Sequence, residues 1–367
     1  MWVLTLGFGA ILLAPPNLTP VSTYAGHWFA VALVLVAVLG RRHSRAALAA
    51  AGLAGLAGLG FAAWELFRLA RGADASDWAF VVGGLIVAGS SLAQLVARLR
   101  HEPRFDPVLL AALQLYVGEV AVWVYYLING AALNYRNYAP ETLITPFRVE
   151  VPFMALALAA VGLGITRSAP AALDRLGLKT PRWWQLALGL LIAQLFLLGE
   201  HPINVLTKLV TPAQYHAIAW VSYTTYSNLP WWAYLTFAIG AGVSEETLFR
   251  GAVQPRLGII ATAFLFAVGH VQYGFTPILA GVFVHGIVYG MLRRYLNTTT
   301  SIVTHASYDF GAYLAPGPTT YWIVAVLMVA ALVVPAMRNR RVIYEVLRAG
   351  LRNDWIGMFR WPRWNAG

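Results

Sequence analysis

The stretch Gly242–His270, GVSEETLFRGAVQPRLGIIATAFLFAVGH, decides how this chain is read. It is an apolar run broken by one Pro-Gly turn at 255–258, and it carries Glu245, Glu246, Arg250 and His270. A charge at the centre of a bilayer costs about 2.5–3.5 kcal/mol on insertion scales, so each such group is a functional candidate. Read as two helices joined at that turn, the stretch puts Glu245 13 residues before Gly258 and His270 12 residues after it. At about 1.5 Å per residue both lie roughly 18 Å from the turn, so a helical hairpin holds carboxylate and imidazole at equal depth. A second hairpin follows. Arg293 and Arg294 mark its cytoplasmic end, an extended turn is expected at Asn297–Thr300, and His305 then re-enters the same layer. Asp309 is four residues on, one turn along the same face.

The composition gives the surroundings. Of 367 residues 59% are hydrophobic and 11% charged, against about 25% charged in a soluble domain. Apolar runs fall near 1–14, 27–40, 46–67, 78–97, 107–129, 150–166, 184–199, 229–256, 258–273, 275–292, 300–314 and 320–337. The expected fold is all-α, a polytopic transmembrane helical bundle of roughly 10–12 spans. The run 1–14 lacks a basic flank and reads as a short first span or re-entrant segment rather than a signal sequence. Three parts are expected: an N-terminal multi-span region 1–228, a core 229–337 and a basic amphipathic tail 338–367.

The net charge of +11 does not point to nucleic acid. If the runs alternate across a bilayer, 21 of the 26 Lys and Arg residues fall on one side and five on the other: Arg68, Arg71, Arg136, Arg148 and Lys208. That bias places both termini and the Arg256 turn in the cytoplasm. The aromatic-rich segment Thr211–Tyr234 reads as an outer-surface belt. In the tail, Val342, Ile343, Val346, Leu347 and Leu351 recur at helical spacing among arginines, as in a helix lying on an anionic leaflet. Membrane lipids and a peptide or protein at the membrane are the expected partners. Arginine outnumbers lysine 24 to 2, the bias of a GC-rich genome, and a prokaryotic cell membrane is the expected location. With no cysteine, disulfides and thiolate chemistry are excluded.

Glu246 and Arg250, at i and i+4, suit an ion pair. Adjacent helical residues project about 100° apart, so Glu246 is given a supporting role and Glu245 is left as the reactive carboxylate. A carboxylate facing two imidazoles and a second carboxylate can activate a water, and the imidazoles can hydrogen-bond the oxyanion formed when that water attacks a peptide carbonyl. The same set, Glu245, His270, His305 and Asp309, could instead ligate zinc. No His-Glu-x-x-His helix is present, and hydrolysis without a cofactor is preferred. His285 reads as packing or support, and Glu119, alone in its span, as a satisfied interhelical hydrogen bond.

At this point the residues resemble a known family. Glu245-Glu246-Thr247-Leu248-Phe249-Arg250 is similar to the Glu-Glu-x-x-x-Arg motif of the CPBP intramembrane glutamic endopeptidases, which include CAAX prenyl endopeptidases and bacteriocin-processing or self-immunity proteins. Phe266-Ala267-Val268-Gly269-His270 resembles their Phe-x-x-x-His motif. His305-Ala306-Ser307-Tyr308-Asp309 resembles His-x-x-x-Asn, with aspartate in the last place. The glycines Gly286 and Gly290 fit the run-up to the third motif. The resemblance covers about residues 229–337. It implies Glu245 as the residue activating water, Glu246 with Arg250 as its support, His270 at the water or the carbonyl oxygen, and His305 with Asp309 at the oxyanion. The aspartate lacks the amide donor of asparagine unless protonated. Two other classes compete: a proton- or ion-coupled transporter, which would suit buried carboxylates and histidines but usually shows repeated halves absent here, and an inert scaffold or immunity protein of the same family. The charge bias makes one prediction directly: a reporter fused after Asn339 reports the cytoplasm, and an external signal would overturn the orientation.

Overall fold

The computed structural model describes Val31 and residues 44–72, 78–99, 147–226 and 229–314. The expected spans at 1–14, 107–129 and 320–337, nearly all of that at 27–40, Glu119 and the basic tail 338–367 lie outside the described residues. Within them the elements are helical: α1 Ser44–Ala70, α2 Trp78–Leu99, α3 Phe147–Ala160, α4 Ala169–Leu176, α5 Trp183–Val210, α6 Pro212–Tyr226, α7 Trp231–Glu246, α8 Gln254–Leu257, α9 Ile259–Val268, α10 Pro277–Tyr295 and α11 Thr298–Leu314. Among the described residues one helix, α5, is long and apolar enough to cross a membrane by length and composition, with a mean hydropathy of 1.6.

The described residues fall into two compact units. The first contains α1, α2 and residues 151–172. Here the Ala, Gly and Leu residues from Ala46 to Gly60 of α1 permit close packing: a Cβ on Gly84 of α2 would lie 2.8 Å from the Gly58 carbonyl of α1, so the two backbones meet without side chains between them. Glu65 of α1 is buried and paired with Arg68 at 2.9 Å.

The second unit contains residues 147–150, 173–226 and 229–314. Its centre is α11, which packs on α7, α5 and α10. Glycines on α7 and α5 permit two of these approaches. A Cβ on Gly242 of α7 would lie 3.0 Å from Ala306 N, and one on Gly189 of α5 would lie 2.9 Å from Thr304 Oγ1. On α10, a Cβ on Gly286 would meet the Ala263 Cα of α9 at 3.1 Å, so close packing requires glycine there. Polar residues fix the turn before α11: Asn297 Oδ1 accepts from Thr300 N at 2.8 Å, and Thr298 N donates to Gly177 O at 3.0 Å.

Two local expectations change, and the aromatic segment takes a helical form that the sequence reading leaves open. Residues 297–300 are not an extended turn, because Asn297 caps the helix and α11 begins at Thr298. The apolar run 184–199 continues to Val210 through Glu200 and Pro202. The aromatic segment beginning at Thr211 forms helix α6. Because Gly242 sits against the backbone of α11, Gly242→Val should destabilise the protein by about 1–3 kcal/mol through overpacking, read as a lower melting temperature in detergent.

Candidate active site

The four segments that matter are built from local signals. Pro230, with φ −72°, precedes α7 and supplies a preset entry. The helix does not run evenly to the turn. At Thr247–Val253 it widens into a π-helix, and the Gln254 amide donates to Phe249 O, five residues back. Such π segments recur at functional sites because the extra residue re-aims side chains. Here it follows directly on Glu245 and Glu246 and buries Arg250 completely. Gly258, with φ +81°, then turns the chain into α9, a backbone state that favours glycine.

His270 departs from the continuous helix of the sequence expectation. α9 ends at Val268, and His270 stands in the connection just beyond it, its amide donating to Ala267 O at 3.0 Å. The ring is nevertheless fixed: Nδ1–H donates to Phe266 O at 2.8 Å, and Tyr273 stacks parallel to it at 5.9 Å. Its Nε2 is left for other work.

Glu246 is the hub. One carboxylate oxygen accepts from His305 Nδ1 at 3.0 Å, and the other faces Arg250 Nε at 3.2 Å. Glu246 and Arg250 have no exposed surface, and His305 is 4% exposed. Sequence spacing anticipates the Arg250 pairing; the His305 bond adds a second helix to the same carboxylate. His305 Nε2 in turn faces Asp309 Oδ2 at 3.4 Å, so both ring nitrogens meet carboxylates. Tyr289 stacks on the His305 ring at 4.9 Å and 15°, and Phe266 meets it edge-on at 5.8 Å. The Arg250 guanidinium lies 4.6 Å over Phe266 and 5.6 Å from the Tyr289 ring centre, geometry suited to cation–π attraction in a desolvated place.

Glu245 has no such clamp. Its carboxylate lies in electrostatic reach of His270, His305, Asp309 and Glu246, and its Oε2 is buried without a hydrogen-bond partner. The structure therefore brings Glu245, His270, His305 and Asp309 into one neighbourhood, with Glu246 and Arg250 behind them. Among the described residues no group of three or more His, Asp or Glu is arranged to hold a metal ion. The zinc alternative would need His305 to give up one of its two carboxylate partners.

His285 packs rather than joining this group: its ring stacks on Phe196 at 3.8 Å and meets Tyr308 edge-on at 4.7 Å. Two polar residues beside the site escape a sequence reading. Tyr308 hydrogen-bonds Glu200 of α5, which reaches toward Asp309. Glu200 falls one residue past the apolar run ending at 199, and so reads as a boundary residue. Tyr289 reads as an ordinary span residue between Gly286 and Gly290.

Removing one member of a buried ion pair leaves a charge uncompensated and costs about 3–5 kcal/mol. Glu246→Gln or Arg250→Met alone should lower the melting temperature sharply, whereas the double variant should recover part of the loss. Additive losses would mean that the two groups do not interact.

The family model described as type II CAAX prenyl endopeptidase Rce1-like matches residues 227–311, which include all three motifs. No curated protein and no solved structure matches the chain. Over residues 227–311, then, this chain is similar to the type II CAAX prenyl endopeptidases described as Rce1-like.

Proposed function

We propose that the protein is an intramembrane endopeptidase that hydrolyses a peptide bond of a membrane-associated substrate with water activated by Glu245. The observation that carries this reading is the different employment of two adjacent carboxylates. Glu246 is held by Arg250 and His305, whereas Glu245 Oε2 has no hydrogen-bond partner. A free carboxylate next to imidazole is a general base; one clamped between a guanidinium and an imidazole is a brace.

In the proposed reaction Glu245 takes a proton from water as the oxygen attacks the scissile carbonyl carbon. With Nδ1–H committed to Phe266 O, neutral His270 presents the Nε2 lone pair and accepts a hydrogen bond from the same water. The carbonyl oxygen becomes an oxyanion on the side of His305 and Asp309, where His305 Nε2–H, which faces Asp309 Oδ2 at 3.4 Å, turns to donate to the developing charge. Collapse breaks the C–N bond, and Glu245 returns its proton to the leaving nitrogen. Two peptide ends are released, and the enzyme regains its starting state.

The setting is a polytopic bundle with both termini in the cytoplasm, and the substrate class is a peptide with a prenylated or C-terminally anchored end. The helical layer of motif residues and the Rce1-like match support it. Glu245→Gln or His270→Ala should lower cleavage in reconstituted vesicles at least about a hundredfold with folding and insertion unchanged. Equal processing by the wild type and both variants would refute the reading.

A further inference from the structure

Buried polar atoms without partners are not scattered through this protein. Among the described residues, every such side-chain atom except Arg293 Nε lies in the run Glu245–Gln254 or on Thr262 and Tyr289. Two of them, Glu246 Oε2 and Arg250 Nε, face each other as an ion pair. The others include Arg250 Nη1 and Nη2, the hydroxyls of Thr262 and Tyr289, Gln254 Oε1 and Glu245 Oε2.

The residues that carry them lie around Phe266 and Tyr289. The Arg250 guanidinium lies over Phe266 and beside Tyr289. Thr262 is one turn before Phe266 on the same side of α9. Gln254 reaches α10 next to Tyr289, its Nε2 donating to Gly290 O at 2.8 Å. Tyr289 is in electrostatic reach of Arg250, Glu245, Glu246 and Asp309. Thr262 and Arg250 have no exposed surface, and Tyr289 is 1% exposed. Leaving that many buried donors and acceptors unpaired would exceed what a marginally stable fold can bear. The set is also chemically balanced: two guanidinium nitrogens donate, a carboxylate and an amide oxygen accept, and two hydroxyls do either. Internal water satisfies such a set, and a polar internal site with several partners is where ordered water is held.

We infer that Arg250, Thr262, Tyr289 and Gln254 form an internal water site whose open end is Glu245 Oε2, and that this site supplies the water hydrolysed in the proposed reaction. The supply role rests on the endopeptidase reading; the water site itself does not. In a hydrocarbon environment each turnover consumes a water that the surroundings do not furnish. A stocked site on the Arg250 side of the carboxylate replaces it without opening the substrate side. Arg250 then has two uses: Nε braces Glu246, and its Nη atoms hold solvent. Tyr289 acts as a positioning residue through its hydroxyl.

The test is X-ray hydroxyl-radical footprinting of the full chain in lipid nanodiscs after brief mixing with water enriched in oxygen-18, together with kinetics and melting of Tyr289→Phe and Thr262→Val. Radicals made from bound water modify the side chains beside it. Tyr289 should be labelled while Phe237, slightly more exposed at 3%, stays unmodified. The incorporated oxygen should lag behind bulk exchange. Both variants should lower the melting temperature, and both should lower kcat about tenfold with KM unchanged. An unlabelled Tyr289, with variants that melt higher than wild type, would overturn the water site, since deleting a truly uncompensated hydroxyl stabilises a core. If Tyr289 is labelled in a protein that cleaves no substrate, the water site stands and the endopeptidase reading fails. If cleavage is normal in both variants although Tyr289 is labelled, the water is structural and the supply role fails.

Discussion

The interaction on which the rest depends is the two-sided engagement of Glu246, with Arg250 Nε at 3.2 Å on one oxygen and His305 Nδ1 at 3.0 Å on the other. One carboxylate thereby ties the π-helical end of the α7 segment to α11. The bond is strong because it is dry: charges removed from water attract each other far more than exposed ones. It is also demanding, because a buried ion left alone is costly. The surroundings meet that demand with aromatic faces on Arg250 and with His305 itself passed on to Asp309.

Backbone proximity makes this arrangement accessible. Glu246 and His305 have short reaches compared with an ordinary helix–helix spacing of about 8–10 Å. Gly242 against Ala306 and Gly189 against Thr304 bring α7 and α5 close to α11, and Gly286 does the same for α10 and α9. The small residues are therefore part of the chemistry: they set the distance over which a carboxylate and an imidazole can meet. The π-helix supplies the remaining adjustment in angle.

Much of this was legible in the sequence, for a physical reason. Charged residues in apolar runs are rare enough that Glu245, Glu246, Arg250, His270, His305 and Asp309 stand out, and helical rise with the two turns sets Glu245, His270 and His305 at similar depth. Glycine at Gly286 announces close packing. Other features have no such signature. The π-helix at Thr247–Val253 uses residues that would serve equally in an α-helix. The end of α9 before His270 comes at Val268-Gly269, where glycine alone does not say whether a helix stops. Glu200 lies at the edge of an apolar run, so its approach to Tyr308 and Asp309 is a tertiary fact. That both oxygens of Glu246 are used is invisible to spacing, since His305 is 59 residues away.

The central claim is that two adjacent glutamates hold different positions, one clamped and one open. An experimentally determined density map of the full chain in lipid, at a resolution that orients carboxylates, tests it most directly. The account requires Glu246 between Arg250 and His305, with Glu245 turned toward His270 and a water between them. Glu245 facing lipid, or Glu246 turned from His305 to take the place beside His270, would contradict it.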